Sequence, residues 1–175
     1  MKNVLITIGI IFVIINVIAC SGAGVDSSKA EKVADGSSTY TTTEKPVDQV
    51  FKVGEAVKLG NAELTVLSME KTKGGQYDEK KPGMEFIIVN VKLKNVSKNE
   101  RVRYDPLDFK IENSQGVLND HAYLSILEQD SSELASGAEI TGKVAFEVPI
   151  DDKKLTLEYR ENMFLDDVIR VALNY

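Results

Sequence analysis

The chain has 175 residues, with 21 Lys and Arg side chains against 27 Asp and Glu, and a sequence pI near 4.9. This acidic balance argues against a protein that binds duplex nucleic acid, because neutralising phosphates requires a basic surface. A single Cys and a single His exclude an internal disulfide and a closed structural zinc site. We therefore expect no nucleic-acid partner and predict no metal or cofactor ligands.

The first residues predict export from the cytoplasm. An apolar run over residues 4–18 follows Lys2, and its 15 residues are fewer than the roughly 20 that a spanning helix needs. Ala19 and Cys20 close this run. The arrangement resembles the lipobox of bacterial lipoproteins, in which the signal peptide, here 1–19, is removed and the Cys thiol carries diacylglycerol. The alternatives are a plain secretory signal with an incidental Cys, or a short membrane anchor.

The resemblance implies cleavage between Ala19 and Cys20 and attachment of Cys20 to membrane lipid on the extracytoplasmic face. The stretch from 20 to 49 is rich in Ser, Thr, Gly, Ala and charged residues and has no repeating apolar face. Such a composition predicts a disordered, flexible tether. As a coil, residues 21–49 would reach roughly 30 Å on average.

From residue 50 onward the hydrophobic pattern has a period of two, which predicts strands. The clearest are 84–93 and 140–148, and shorter ones are expected at 62–67, 109–111, 155–159 and 169–173. Phe86 and Ile88 lie on the face opposite the other apolar residues of their strand, so we expect its start to be covered on both sides. Several short strands separated by turns predict an all-β, antiparallel two-sheet sandwich over residues 50–175.

Several segments occur in the order and spacing of one bacterial domain family. They are Val53-Gly54-Glu55, Leu64-Thr65-Val66, residues 86–95, Ser114-Gln115-Gly116 and residues 136–149. Together they resemble the domain of unknown function 4352 family, sometimes labelled telomeric repeat-binding factor-like, over about 50–175. The resemblance implies an immunoglobulin-like β-sandwich in a lipoprotein or secreted protein, and it brings no agreed catalytic residues. The acidic charge gives the telomeric label no physical support.

Two local motifs suggest chemistry that their surroundings do not favour. Residues 137–143 have the G-x-x-x-x-G-K spacing of a phosphate-binding loop, but Val144 replaces the required Ser or Thr and the alternation predicts a strand. Asp120 lies beside His121, an arrangement known in acid–base catalysis. No G-x-S-x-G nucleophile motif accompanies them, so a structural or solvated His is the simpler interpretation. We predict no catalytic residues.

Acidic residues are frequent in the predicted loops and suggest a carrier of calcium or another ligand. They are Asp105, Asp108, Asp120, Asp130, Asp151, Asp152, Asp166 and Asp167. Calcium prefers six to eight oxygen ligands, which loops at one end of a sandwich could supply. No EF-hand run is present, so the alternative is a set of solvated turn carboxylates.

Four aromatic residues fall in predicted loops or strand ends: Tyr77, Tyr104, Tyr123 and Phe164. If they cluster, they form an apolar surface for a partner; packing at the rim of the core is the simpler interpretation. We expect a membrane-anchored, non-enzymatic module that binds an extracytoplasmic protein or a cell-envelope component. The alternatives are the calcium or ligand carrier, and a cell-wall hydrolase that uses paired carboxylates.

Overall fold

The computed structural model describes residues 31–32, 49–161 and 167–173. Within these ranges the chain forms twelve β-strands and one short 3₁₀-helix. The strands are β1 (Glu31–Lys32), β2 (Val50–Lys52), β3 (Ala56–Leu59), β4 (Ala62–Thr72), β5 (Met84–Asn95), β6 (Val102–Tyr104), β7 (Phe109–Glu112), β8 (Leu118–Ala122), β9 (Ser132–Leu134), β10 (Glu139–Pro149), β11 (Leu155–Tyr159) and β12 (Ile169–Leu173). The 3₁₀-helix spans Pro106–Asp108 and connects β6 to β7.

Two mainly antiparallel sheets share one strand at a corner. The first sheet contains β1, β3, β4, β5 and β10, and the second contains β7, β11, β12 and β2. β8 belongs to both, because Asp120 pairs with Lys110 of β7 while Ala122 pairs with Ala145 of β10. Strands that pass from one sheet to the other in this way form the corners of sandwiches. The all-β sandwich predicted from the alternation is confirmed.

The inner faces of the two sheets enclose one apolar core. Leu64 and Val144 come from the first sheet and Leu157 and Val171 from the second, and each is at most 1% exposed. Lys143, next to Val144 on β10, is exposed, as the alternation predicts. The run that matched the phosphate-loop spacing therefore belongs to a turn and a β-strand.

The first sheet is also buried on its outer face at one end. Phe86 and Ile88 of β5 form a second apolar cluster with Ala145 of β10 and with Leu124, which follows β8. This confirms that β5 is covered on both sides at its start. The segment after β8 folds back over the sheet, because Leu124 is buried there.

β6 and β9 form a separate two-stranded ribbon. Tyr104 of β6 is 3% exposed, and its ring packs 6.0 Å from that of Phe109, measured between centroids. The phenol ring lies where a side chain at Gly142 would be. A residue without a Cβ at position 142 therefore allows the ribbon to close against the core.

Part of the predicted tether is ordered. Glu31–Lys32 forms β1 and pairs with β3, so these two residues are strand rather than flexible chain. The first strand of the sandwich, β2, begins at Val50. The predicted signal peptide, Cys20 and the rest of the tether lie outside the described residues.

Replacing Gly142 with Ala should destabilise the fold, because the added methyl group would overlap the Tyr104 ring. Overpacking of this kind costs about 1–3 kcal/mol in the free energy of unfolding, measurable by urea denaturation. The same substitution in a Tyr104→Ala background should cost much less, since the ring is then absent. Equal costs in the two backgrounds would show that the Tyr104 contact is not the cause.

Candidate functional site

Three of the four aromatic residues predicted to form a partner surface lie in the described part of the chain, and only two of them are exposed. Tyr77 and Tyr123 are 82% and 74% exposed. Tyr104 is part of the core, so its prediction as a surface residue is wrong; its ring fills the space above Gly142. Phe164 lies outside the described residues. The two exposed tyrosines are on different connections, one between β4 and β5 and the other after β8.

One carboxylate joins these two connections. Asp78 accepts a hydrogen bond from the Gly75 N–H at 2.6 Å within its own loop. Its two carboxylate oxygens also accept from the Ser125 N–H, at 3.0 and 3.1 Å. The pKa of Asp78 is lowered, because backbone N–H groups of Gly75 and Ser125 stabilise the charged carboxylate. We refer to residues 74–78 and 123–127 as the paired loops.

Two glycines allow the paired loops to approach each other. Gly74 has a positive φ of 76°, in the region that favours glycine. At Gly75, a Cβ would overlap the Ser125 hydroxyl and lie 3.1 Å from a methyl carbon of Ile126. The Gly74-Gly75 pair, which the sequence indicates only as a loop, is therefore needed for both the turn and the contact.

The paired loops rest on a buried apolar base and leave apolar groups in solvent. Leu124 is 3% exposed and packs into the second cluster with Phe86 and Ile88. Ile126, two residues later, is 51% exposed. Tyr77, Tyr123 and Ile126 thus project from loops whose backbones are fixed by Leu124 and Asp78. We name these three side chains the paired-loop surface.

His121 supports this surface. Its ring packs edge-on against that of Tyr123, with 4.5 Å between the centroids. Its Nε2 is buried and has no hydrogen-bond partner among the described residues. The neighbouring Asp120 carboxylate pairs with Lys110, with an O–N distance of 2.9 Å. The structure therefore places Asp120 in an ion pair and His121 in a ring contact, as a structural His requires.

Most of the acidic residues suggested for a calcium carrier have specific structural partners. Asp151 pairs with Lys71 at 3.0 Å, and Asp152 accepts from the Ser114 and Lys154 N–H groups at 2.9 Å each. Asp130 is exposed, Asp167 is half-buried, and Asp166 is outside the described residues. Within residues 31–32, 49–161 and 167–173, no three His, Cys, Asp or Glu side chains are grouped so as to hold a metal ion.

Two of the predicted acids do come together, beside the 3₁₀-helix. The Arg103 guanidinium pairs with Asp105 at 3.0 Å and with Asp108 at 3.4 Å. Asp105 also caps the helix, since its carboxylate accepts from the Leu107 N–H at 2.9 Å. Burial raises the pKa of Asp108 to about 6; Arg103 opposes this increase and Asp105 adds to it. This end of the sandwich thus holds a carboxyl that can change charge near neutral pH.

The buried surroundings of Asp108 extend to the end of β11. Tyr159 is completely buried, and its hydroxyl has no hydrogen-bond partner in the part of the chain that is described. Burial raises its pKa, and the nearby carboxylates of Glu161 and Asp108 add to this. The Glu161 carboxylate accepts from the Asn61 N–H at 3.3 Å, and its own pKa is raised mainly by burial. Asn61 and Asp108 are 47 residues apart, and Asp108 is 51 residues from Tyr159, so no local motif reveals that they come together.

Comparison with known proteins identifies the family. A family model for a domain of unknown function, DUF4352, matches residues 51–169. The chain belongs to this family. It is also 28% identical over 141 residues to the uncharacterized lipoprotein YjhA of Bacillus subtilis strain 168. That match covers 70% of this chain and 63% of YjhA, which is less than two thirds of the relative's length.

Two solved structures share the fold. The crystal structure of the yjhA protein of Bacillus subtilis has a TM-score of 0.59 at 20% identity, covering 71% of this chain and 100% of that chain. The structure of the ycdA protein from the same species has a TM-score of 0.56 at 16% identity, covering 75% of this chain and 39% of that chain. None of the helices in the described part of the DUF4352 protein has the length and apolarity required to cross a membrane.

Asp78→Asn should loosen the paired loops while leaving the sandwich folded. The neutral amide is a weaker acceptor for the Gly75 and Ser125 N–H groups, so both amides should exchange with solvent faster in hydrogen-exchange measurements. In the wild type, the charged Asp78 carboxylate stabilises the contact, and its pKa is lower in the folded than in the unfolded state. This stabilisation is complete above the unfolded-state pKa and is lost as the pH falls through the folded-state pKa, so the protection of both amides should be lost over the same range. Glu79→Asn, which changes the next acidic residue, is the control. Equal protection in Asp78→Asn and wild type would contradict this role.

Asp108→Asn should stabilise the protein at neutral pH. The raised pKa means that between about pH 4 and 6 the folded state binds more protons than the unfolded state, so wild-type stability falls as the pH rises through this window. Above pH 6 the variant should gain about 1–3 kcal/mol in the free energy of unfolding, and the gain should disappear below pH 4. Urea denaturation across this pH range measures it, with Asp130→Asn as the control for loss of one exposed charge. A gain that is the same at every pH would exclude titration of Asp108 as its origin.

Proposed function

We propose that this DUF4352 protein is a lipid-anchored, extracytoplasmic interaction module whose paired-loop surface binds a protein or cell-envelope partner without catalysing a reaction. The observation that carries the proposal is the exposure of Tyr77, Tyr123 and Ile126 on loops fixed by Asp78 and Leu124. Tyrosine is enriched at the energetically important centres of interfaces. Because these loops are held in place before binding, little conformational entropy is lost on association.

The proposed anchor is supported by the sequence and by a relative. Cys20 ends an apolar segment of the length of a signal-peptide core and follows the small residue Ala19. YjhA, the curated relative, is a lipoprotein. A diacylglycerol group holds a protein to a bilayer more firmly than a single acyl chain, because each buried CH₂ contributes about 0.8 kcal/mol.

The described acidic residues fit a binding role better than they fit a calcium carrier or a cell-wall hydrolase. A calcium carrier needs several carboxylates around one point, but Asp120 and Asp151 each pair with a lysine on a separate part of the surface. A hydrolase needs two carboxylates that face a substrate, whereas Asp105 and Asp108 both face Arg103. In the paired-loop surface, by contrast, Tyr77 and Tyr123 remain 82% and 74% exposed, although one edge of the Tyr123 ring packs against His121.

Photocrosslinking in the intact envelope tests the proposed surface. A photoreactive amino acid at exposed Gln76, beside Tyr77, should form a defined adduct with the partner, and the same amino acid at exposed Gln115 should not. Tyr77→Ser with Tyr123→Ser should reduce the yield of this adduct at least tenfold, since truncating each central side chain typically weakens binding by more than 1 kcal/mol.

Matched substitutions of other exposed apolar residues provide the control. Leu107 and Val117 are 58% and 50% exposed and belong to the β6–β7 and β7–β8 connections, so Leu107→Ser with Val117→Ser should keep the adduct. An adduct that forms equally from Gln76 and Gln115, or that survives loss of both tyrosines, would refute the paired-loop surface as the binding site.

Metabolic labelling with an alkyne fatty acid tests the anchor separately. Wild-type protein should be labelled, and Cys20→Ser should lose the label because it lacks the acceptor thiol. Ser21→Ala, which changes the adjacent residue, should be labelled like wild type. Labelling that persists in Cys20→Ser would place the lipid elsewhere, and an unlabelled wild-type protein would reject the lipid anchor.

A further inference from the structure

The outer edge of β3 is occupied by a segment from outside the domain. Glu31 pairs with Lys58 and Lys32 with Val57 in antiparallel register. On its other side β3 pairs with β4, from Ala56 opposite Thr65 to Leu59 opposite Ala62. In the described part of the chain, β1 is therefore the outermost strand of the first sheet and covers backbone groups of β3 that would otherwise form an open edge.

The pairing connects two points that are distant along the chain. Residues 33–49 lie between β1 and the first strand of the domain, so the pairing closes a loop across the boundary that the sequence predicts. A two-residue strand makes few hydrogen bonds, and their net contribution is comparable with the entropy cost of ordering the same residues. An edge strand of this length is therefore expected to open and close rather than to remain permanently bound.

We propose that Glu31–Lys32 is a detachable edge strand that binds β3 in the same molecule and sets the distance between the domain and the membrane. The distance part of this proposal rests on the proposed lipid anchor at Cys20. With β1 bound, ten residues, 21–30, separate the anchor from the sheet, and they can span at most about 35 Å. With β1 released, 29 residues, 21–49, separate it from the domain, and the limit rises to about 100 Å.

Hydrogen exchange on the full-length protein in detergent tests the edge pairing independently of the anchor. One of the Val57 and Lys58 amides faces β1. This amide should exchange at least about twofold faster in Glu31→Pro/Lys32→Pro than in wild type, because β1 protects it for part of the time and proline cannot maintain the strand ladder. Ser27→Pro/Ser28→Pro adds the same two prolines before β1 and should exchange like wild type. Equal exchange in all three proteins would overturn the proposal.

Energy transfer from a dye on the domain to acceptors in neutral phosphatidylcholine vesicles tests the distance. Energy transfer should be lower for Glu31→Pro/Lys32→Pro than for wild type and for Ser27→Pro/Ser28→Pro. Unchanged transfer, together with faster exchange, would reject the distance role and retain the edge pairing. Failure of the wild-type protein to bind the vesicles would instead reject the anchor, and the exchange result would still decide the pairing.

Discussion

The antiparallel ladder between β5 and β10 supports both the core and the candidate surface. Its register runs from Glu139 opposite Lys94 to Pro149 opposite Met84, so the two strands pair along their whole length. Their inner faces contribute to the main core, and at one end Phe86 and Ala145 face outward into the second cluster. Because Leu124 packs on that outer cluster, the position of the paired loops is determined by the same ladder that forms the middle of the first sheet.

The sequence predicts those parts of the molecule that depend on local periodicity. Alternation in residues 140–148 is sufficient to identify β10, and the outward apolar residues Phe86 and Ile88 indicate a covered face. The sequence does not predict the partners of these faces, because they come from distant parts of the chain. Tyr104 is an example: its place at a strand end leaves both a partner surface and packing at the core rim open, and only the fold brings it to Gly142, where a missing Cβ provides the space for its ring.

In the candidate site as well, the sequence predicts local features but not the contacts between distant parts of the chain. The sequence places Tyr77 and Tyr123 in loops or at strand ends, where either exposure or packing at the core rim is open, and it indicates the Gly74-Gly75 pair only as a loop. The contact that joins their loops spans 47 residues from Asp78 to Ser125, and no spacing rule predicts it. The raised pKa of Asp108 likewise depends on burial produced by the folded chain. Glu31–Lys32 is too short to show any periodicity, so its pairing with β3 could not be predicted.

The parallel pairing of β2 with β12 has a mechanical consequence. β2 is the strand through which the preceding chain enters the domain, and Val50, Phe51 and Lys52 lie beside Arg170, Val171 and Ala172. In a molecule held at Cys20, bound to a partner at its loops and with β1 released from β3, tension would enter the sandwich through β2. A pull along the strand axis loads the evenly spaced hydrogen bonds of a parallel pair together, in shear, instead of opening them one after another. The strand next to the tether is thereby suited to withstand force.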